Sequence, residues 1–277
     1  MPDPQSIQAL IPDFVAVAIG LYVMGRMAVH VATRGDKVRA SDMDLPELMM
    51  TIVLAGGAIL LITAAILRQS KVESEVKIDT VLPGALFFVI IAGGIMAFLH
   101  YVRKLRIVTV FGLDQVRPLA VLGWAAGLCL AFLPLSVLIG YLTRLVLKDD
   151  FAQQSLVGLY SRVAEQNDYL AMGKIALTAA VLAPCSEEFL FRGFFYGVWK
   201  RYLGPRRAAI LASLLFAAMH TNLSSFPALF VLALCLTLAY ERTGSLLVPI
   251  GFHACFNFTN LLVLYLHARY PHTFSPP

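Results

Sequence analysis

Apolar residues in this chain gather into long unbroken runs, with polar residues confined to the joints between them. Ile11 to Val31, Leu48 to Leu67, Val81 to Tyr101 and Leu119 to Leu142 carry few charges. Each has about the 20 residues that an α-helix needs to cross the hydrocarbon core of a bilayer. A fifth run, Tyr169 to Trp199, is too long for a simple perpendicular span. Tilt, a break near Pro184 or extension beyond the lipid must absorb the excess. Ala208 to His220, Phe226 to Tyr240 and Leu246 to Leu266 follow, the first two of them short. The pattern predicts an all-α fold, a polytopic membrane helix bundle of about eight transmembrane helices. Residues 1–277 read as a single integral membrane domain.

The joints refine this picture. The segment from Thr143 to Lys174 is the most polar of the chain and predicts an amphipathic or extramembrane element. It is too short to bury a core of its own. Pro134 stands at the centre of the fourth run, where a proline is expected to kink a helix. The tail that begins at His267 is expected to end in disorder. No internal repeat is evident, which speaks against an inverted-repeat transporter.

Composition agrees with membrane residence. The chain is 59% hydrophobic and 14% charged, against about 25% charged residues in ordinary soluble domains. The formal net charge of +5 does not point to nucleic acid, because the lysines and arginines sit in short patches between apolar runs. Arg34, Lys37 and Arg39 mark the first connection. Arg103, Lys104, Arg106 and Arg117 mark the third, and Lys200, Arg201, Arg206 and Arg207 the fifth. The odd-numbered connections therefore read as cytoplasmic and both termini as outside, although Arg68, Lys71 and Lys77 soften the contrast. In a bacterium the membrane would be the plasma membrane. Cys129, Cys185, Cys235 and Cys255 lie singly in apolar runs and read as small hydrophobes rather than a disulfide framework.

Against that background Pro184 to Gly197, P-C-S-E-E-F-L-F-R-G-F-F-Y-G, stands out. Ionisable groups inside a span are costly and mark function by default. Glu187 and Glu188 are adjacent, so on a helix they point about 100° apart. Glu188 and Arg192 are four apart, on one face, suited to an ion pair. That leaves Glu187 free to act as a base. His220 ends the sixth run four residues after Phe216, and His253 and Asn257 share a face of the eighth. At 1.5 Å per residue, Glu187 lies about 18 Å from Trp199, His220 about 18 Å from Ala208 and His253 about 10 Å from Leu246, with Asn257 about 6 Å deeper. All four fall at similar depth. A structural ion network of Glu187, Glu188 and Arg192 would leave the histidines without a use. The remaining histidines, His30, His100, His267 and His272, read as interfacial.

Two chemistries suit these groups. Glu187, His220 and His253 form a ligand set familiar for catalytic zinc with an open position for water. Without metal, a carboxylate and a histidine would activate water while the other histidine and Asn257 donate to a developing oxyanion. Residue types leave both open. Neither HExxH nor GxSxG occurs, and Ser186 lacks a nucleophile-elbow setting.

Three motifs in this chain, E187-E188-F-L-F-R192, F216-A-A-M-H220 and H253-A-C-F-N257, resemble the EExxxR, FxxxH and HxxxN signature of the CPBP intramembrane protease family. This family comprises the type II CAAX prenyl endopeptidases and their bacterial relatives. The motifs match without departure, within the motif-bearing catalytic helices of 169–266. The resemblance implies a protease of the kind called metalloproteases, with Glu187 activating water and His220 assisting or binding metal. It also implies His253 and Asn257 for metal or oxyanion stabilisation, and Glu188 and Arg192, with Phe216, in support. It implies a peptide or protein substrate, in some members lipidated at its C-terminus, met within the lipid bilayer, and a divalent metal such as zinc as the cofactor to test. A non-catalytic binding, immunity or scaffold protein of the same fold is the alternative. A transporter would instead require polar residues along the whole membrane path.

Overall fold

The computed structural model describes residues 4–34, 37–69, 77–148 and 154–270. The tail expected to end in disorder, from 271 on, lies outside these residues. So do the greater part of the second connection and the middle of the 143–174 stretch.

Among the described residues every regular element is helical. The apolar runs become α1 (Pro4–Arg34), α2 (Leu45–Gln69), α3 (Ile78–Val102), α5 (Pro118–Leu147), α7 (Tyr169–Leu203), α8 (Pro205–Met219), α9 (Phe226–Thr243) and α10 (Leu247–Arg269). A short α4 (Ile107–Val110) lies in the third connection, and α6 (Ser155–Glu165) in the polar stretch. α5 runs unbroken through Pro134. Among the described residues seven helices are long and apolar enough to cross a membrane, against the expected eight or so. The exception is α8, whose 15 residues span about 22 Å at 1.5 Å each, short of the roughly 30 Å of hydrocarbon. It ends at His220. Asn222 accepts from the amide of Ser225 at 2.8 Å, which reverses the chain into α9, the helix against which α8 packs. The protein is an integral, multi-pass membrane helix bundle.

Three apolar clusters hold the helices. One joins α1, α5, α9 and α10 around Phe132, Leu236 and Phe252. A second joins α3, α7 and α8 around Leu99, Phe194 and Phe216. A third seats α6 on α7 and α10 through Leu159, Ile175 and Leu261.

The odd-numbered connections, expected on one side, meet at one end of the bundle. Glu241, at the end of α9, is their hub. Its carboxylate accepts from the amides of Lys37 at 3.0 Å and Val38 at 3.2 Å, from the Tyr196 hydroxyl, and from Lys200 Nζ at 2.7 Å. Lys200 also donates to the carbonyl of Val38 at 2.7 Å. A buried carboxylate is tolerable only when paired and hydrogen-bonded, and Glu241 is both. The cluster fixes the C-terminal half of α7. Nearby, Arg103 bridges Asp44 and Glu47, and Trp199 donates to Thr51 at 3.1 Å.

Third and seventh connections touch backbone to backbone. The amide of Leu246 donates to the carbonyl of Phe111 at 3.0 Å. Gly112 has φ +60°, and a Cβ there would lie 1.8 Å from the Gly244 carbonyl oxygen. Gly112→Ala is therefore expected to cost at least about 1–3 kcal/mol from the backbone conformation alone, with the collision added. Thermal unfolding in detergent micelles would show it as a lower midpoint. A wild-type midpoint would mean that the two connections do not pack this closely.

Candidate active site between three helices

The site is built on α7, α8 and α10. α7 continues through Pro184 by widening locally to π-helical geometry over Thr178–Leu182, and it does so again over Phe189–Tyr196. Such departures inside α-helices recur at functional sites. In the first of them the amide of Ala183 donates to Thr178. The next residue, Pro184, has no N–H to offer, so the carbonyl of Ala179 loses the donor that this register would supply. Asn257 of α10 replaces it, its Nδ2 donating to Ala179 at 2.8 Å.

Glu188 and Arg192 form the ion pair that their spacing predicts, 3.0 Å apart and both essentially without exposure. The Arg192 guanidinium also lies 4.4 Å from the centroid of the Phe216 ring, a favourable placement for a cation shielded from water. Glu188 reaches α10 as well. His253 Nδ1 donates to its Oε1 at 2.8 Å, which makes His253 a buried ring of fixed orientation. Its other nitrogen, Nε2, faces the Oε2 of Glu187 at 4.0 Å, and the Glu187 side chain is 19% exposed. The two carboxylates do point in different directions. One imidazole nevertheless addresses both, because its nitrogens sit at different edges of the ring.

His220 stands at the end of α8. Its Nδ1 donates to the Phe216 carbonyl at 2.9 Å, since a carbonyl can only accept, and this leaves Nε2 as the nitrogen available for chemistry. Its ring packs on Phe216 at 4.9 Å between centroids, while His253 packs on the same ring at 5.8 Å. Phe216 is thus the common wall of both histidines.

The structure therefore gathers Glu187, Glu188, Arg192, Phe216 and His253 directly. His220 joins them through Phe216, and Asn257 is directed to the α7 backbone with one of its two amide hydrogens. The suggested ligand set Glu187, His220 and His253 is not assembled in this arrangement. Among the described residues no three His, Cys, Asp or Glu side chains stand together so as to hold a metal ion. Among the described residues the donors as arranged do not fit a metal.

The spacing along α7 gives Glu188 a single partner, Arg192, whereas the fold adds His253. The spacing along α10 gives Asn257 no structural bond. The signal for the latter was present, because a proline inside a helix always frees a carbonyl.

Asn257→Leu is expected to cost about 1–3 kcal/mol by stranding the Ala179 carbonyl, read as a lower melting midpoint in micelles. No change would show that the carbonyl finds a donor elsewhere.

The fold and the site define a polytopic membrane protein with a buried Glu–His centre. Residues 172–259, which hold every motif residue above, match the family described as type II CAAX prenyl endopeptidase Rce1-like. A curated relative, an uncharacterized 24.3 kDa protein of Escherichia coli, is 40% identical over 86 residues, which is 28% of this chain and 38% of the relative. The chain thus spans well under half the length of that relative. No solved structure matches.

Proposed function

We propose that this protein is an intramembrane endopeptidase in which Glu187 activates a water molecule for attack on a peptide carbonyl. One observation carries the reading. Of two adjacent glutamates, one is consumed by an ion pair and a histidine, while the other keeps its carboxylate accessible and 4.0 Å from the Nε2 of that histidine. Two acceptors at that separation suit the two hydrogens of a single water. Glu188 holds the proton on Nδ1 of His253 and so keeps Nε2 as an acceptor.

Glu187 takes a proton as the water oxygen bonds to the carbonyl carbon, and the carbonyl oxygen becomes an oxyanion. The donors assigned to that oxygen are the ring edge of His220 that faces away from Phe216 and the second amide hydrogen of Asn257. Glu187 then returns the proton to the peptide nitrogen as the oxyanion collapses to a carbonyl and the C–N bond breaks, which releases the amine and the new carboxylic acid and restores the Glu187 carboxylate. The similarity to prenyl endopeptidases makes a peptide lipidated near its C-terminus the first substrate class to try. Non-helical backbone at 220–225 suits this role, since such backbone is tolerated at membrane depth only where protein or a water-filled cavity covers it.

The test is a peptide library, with and without C-terminal prenyl groups, presented to the full chain in bilayers. Cleavage lost on replacing Glu187 or His220 supports the reading. Cleavage indifferent to both would end it, and folded protein that binds peptides without cutting any favours the non-catalytic alternative.

A further inference from the structure

On the outer flank of the bundle, α1, α5 and the end of α9 enclose a cavity of about 460 Å³ that none of the motif residues lines. Its polar wall is basic. Arg26, His30 and Arg34 come from α1, with Tyr22 below them, and Arg242 faces them from α9 beside Trp124 of α5. The four α1 residues recur at every fourth position and so form one stripe. From Arg34 at the helix end down to Arg26 the stripe descends about 12 Å into the span. Arg26 and Arg34 are exposed on this flank, which in a bilayer is the lipid side. The Arg242 guanidinium lies 5.8 Å from the centroid of the Trp124 ring.

Among the described residues no aspartate or glutamate lines the cavity. The carboxylate next to Arg242 in sequence, Glu241, is engaged with Lys200, Tyr196 and two backbone amides. Arginines, lysines and histidines set below the membrane surface without an acid are costly unless an anion meets them. The opening lies at the end of the bundle where the basic connections gather. Apart from Thr33, its remaining wall, Val23, Met27, Val29 and Leu128, is apolar and runs along the span. That combination fits a molecule with a phosphate at the interface and hydrocarbon below it, and free phosphate would gain nothing from the apolar part. We propose that this cavity binds the headgroup phosphate of an anionic phospholipid, with the acyl chains lying against α1 and α5.

The full chain is placed in mixed nanodiscs of phosphatidylcholine and a minor fraction of phosphatidylglycerol, extracted mildly, and its retained lipids counted by native mass spectrometry. The wild type is expected to retain phosphatidylglycerol over its share of the bilayer by about tenfold or more, from three arginines at the site. The double variant Arg26→Gln/Arg242→Gln is expected to fall to within about twofold of the bilayer ratio. Arg269→Gln removes one charge from the far end of α10 and should leave the preference intact. Each variant is first checked for a wild-type melting midpoint. If the double variant fails that check, Arg26→Gln alone, on the outer flank, serves in its place. Added inorganic phosphate should not displace the lipid. Equal retention by wild type and cavity variant overturns the proposal, as does equal loss in Arg269→Gln. Phosphate binding without lipid preference overturns the lipid assignment.

Discussion

Glu187→Gln is expected to lower the cleavage of any peptide that the wild-type protein cuts by about 10²–10⁴-fold, the usual contribution of a positioned general base. Its melting midpoint is expected to stay close to that of wild type. Glutamine has nearly the same shape and keeps an acceptor oxygen, but it cannot take a proton. Stability is little affected because Glu187 has no part in the Glu188–Arg192 pair and approaches His253 no nearer than 4.0 Å. The two readouts together carry the test. Near-wild-type cleavage by a folded Glu187→Gln protein would remove Glu187 from the chemistry altogether. Loss of both cleavage and folding would show instead that Glu187 is a structural residue.

Glu188→Ala should show the opposite profile. Arg192 is 1% exposed and has Glu188 as its ion-pair partner, so truncation strands a guanidinium in an apolar interior. Removing one partner of a buried pair typically costs about 3–5 kcal/mol. Here His253 also loses the acceptor for its Nδ1 proton. The expected result is a large fall in the unfolding midpoint in micelles, with activity lost as a consequence. A double variant, Glu188→Leu with Arg192→Met, should recover much of that stability, because replacing both partners by apolar side chains leaves no uncompensated charge. A double-mutant cycle separates the coupling from the individual effects. Additive losses would mean that the pair is not coupled as its geometry implies.

These two glutamates also show how far the sequence reaches. The spans were legible because hydrocarbon demands long apolar runs, and most boundaries fall within a few residues of those expected. The Glu188–Arg192 pair was legible because it is local to one helix turn. What escaped depends on contacts between distant segments. Glu188 meets His253 only because α7 and α10 cross there. Glu241, Tyr196 and Lys200 looked like ordinary residues of a helix end, since nothing in their spacing reveals that Glu241 gathers the first connection and α7. Among the described residues the spans number seven rather than about eight, because the 12 apolar or small residues before His220 resemble a clipped span. The helix it forms stops partway and turns back. The four-residue spacing sets Phe216 beside one histidine, whereas in the fold it lies against both and beneath Arg192 as well.

The exchange between Pro184 and Asn257 has a bearing on descent. A lineage that replaced the proline would regain an amide hydrogen for the Ala179 carbonyl, and the asparagine would then be released from its bond to α7. Drift at position 257 in such a lineage would then be restrained only by the oxyanion role proposed for it. Among relatives that keep the proline, the architecture holds the asparagine, joined under the proposed mechanism by its chemistry. Persistence of asparagine where the proline has gone would therefore isolate the chemical share of selection on it.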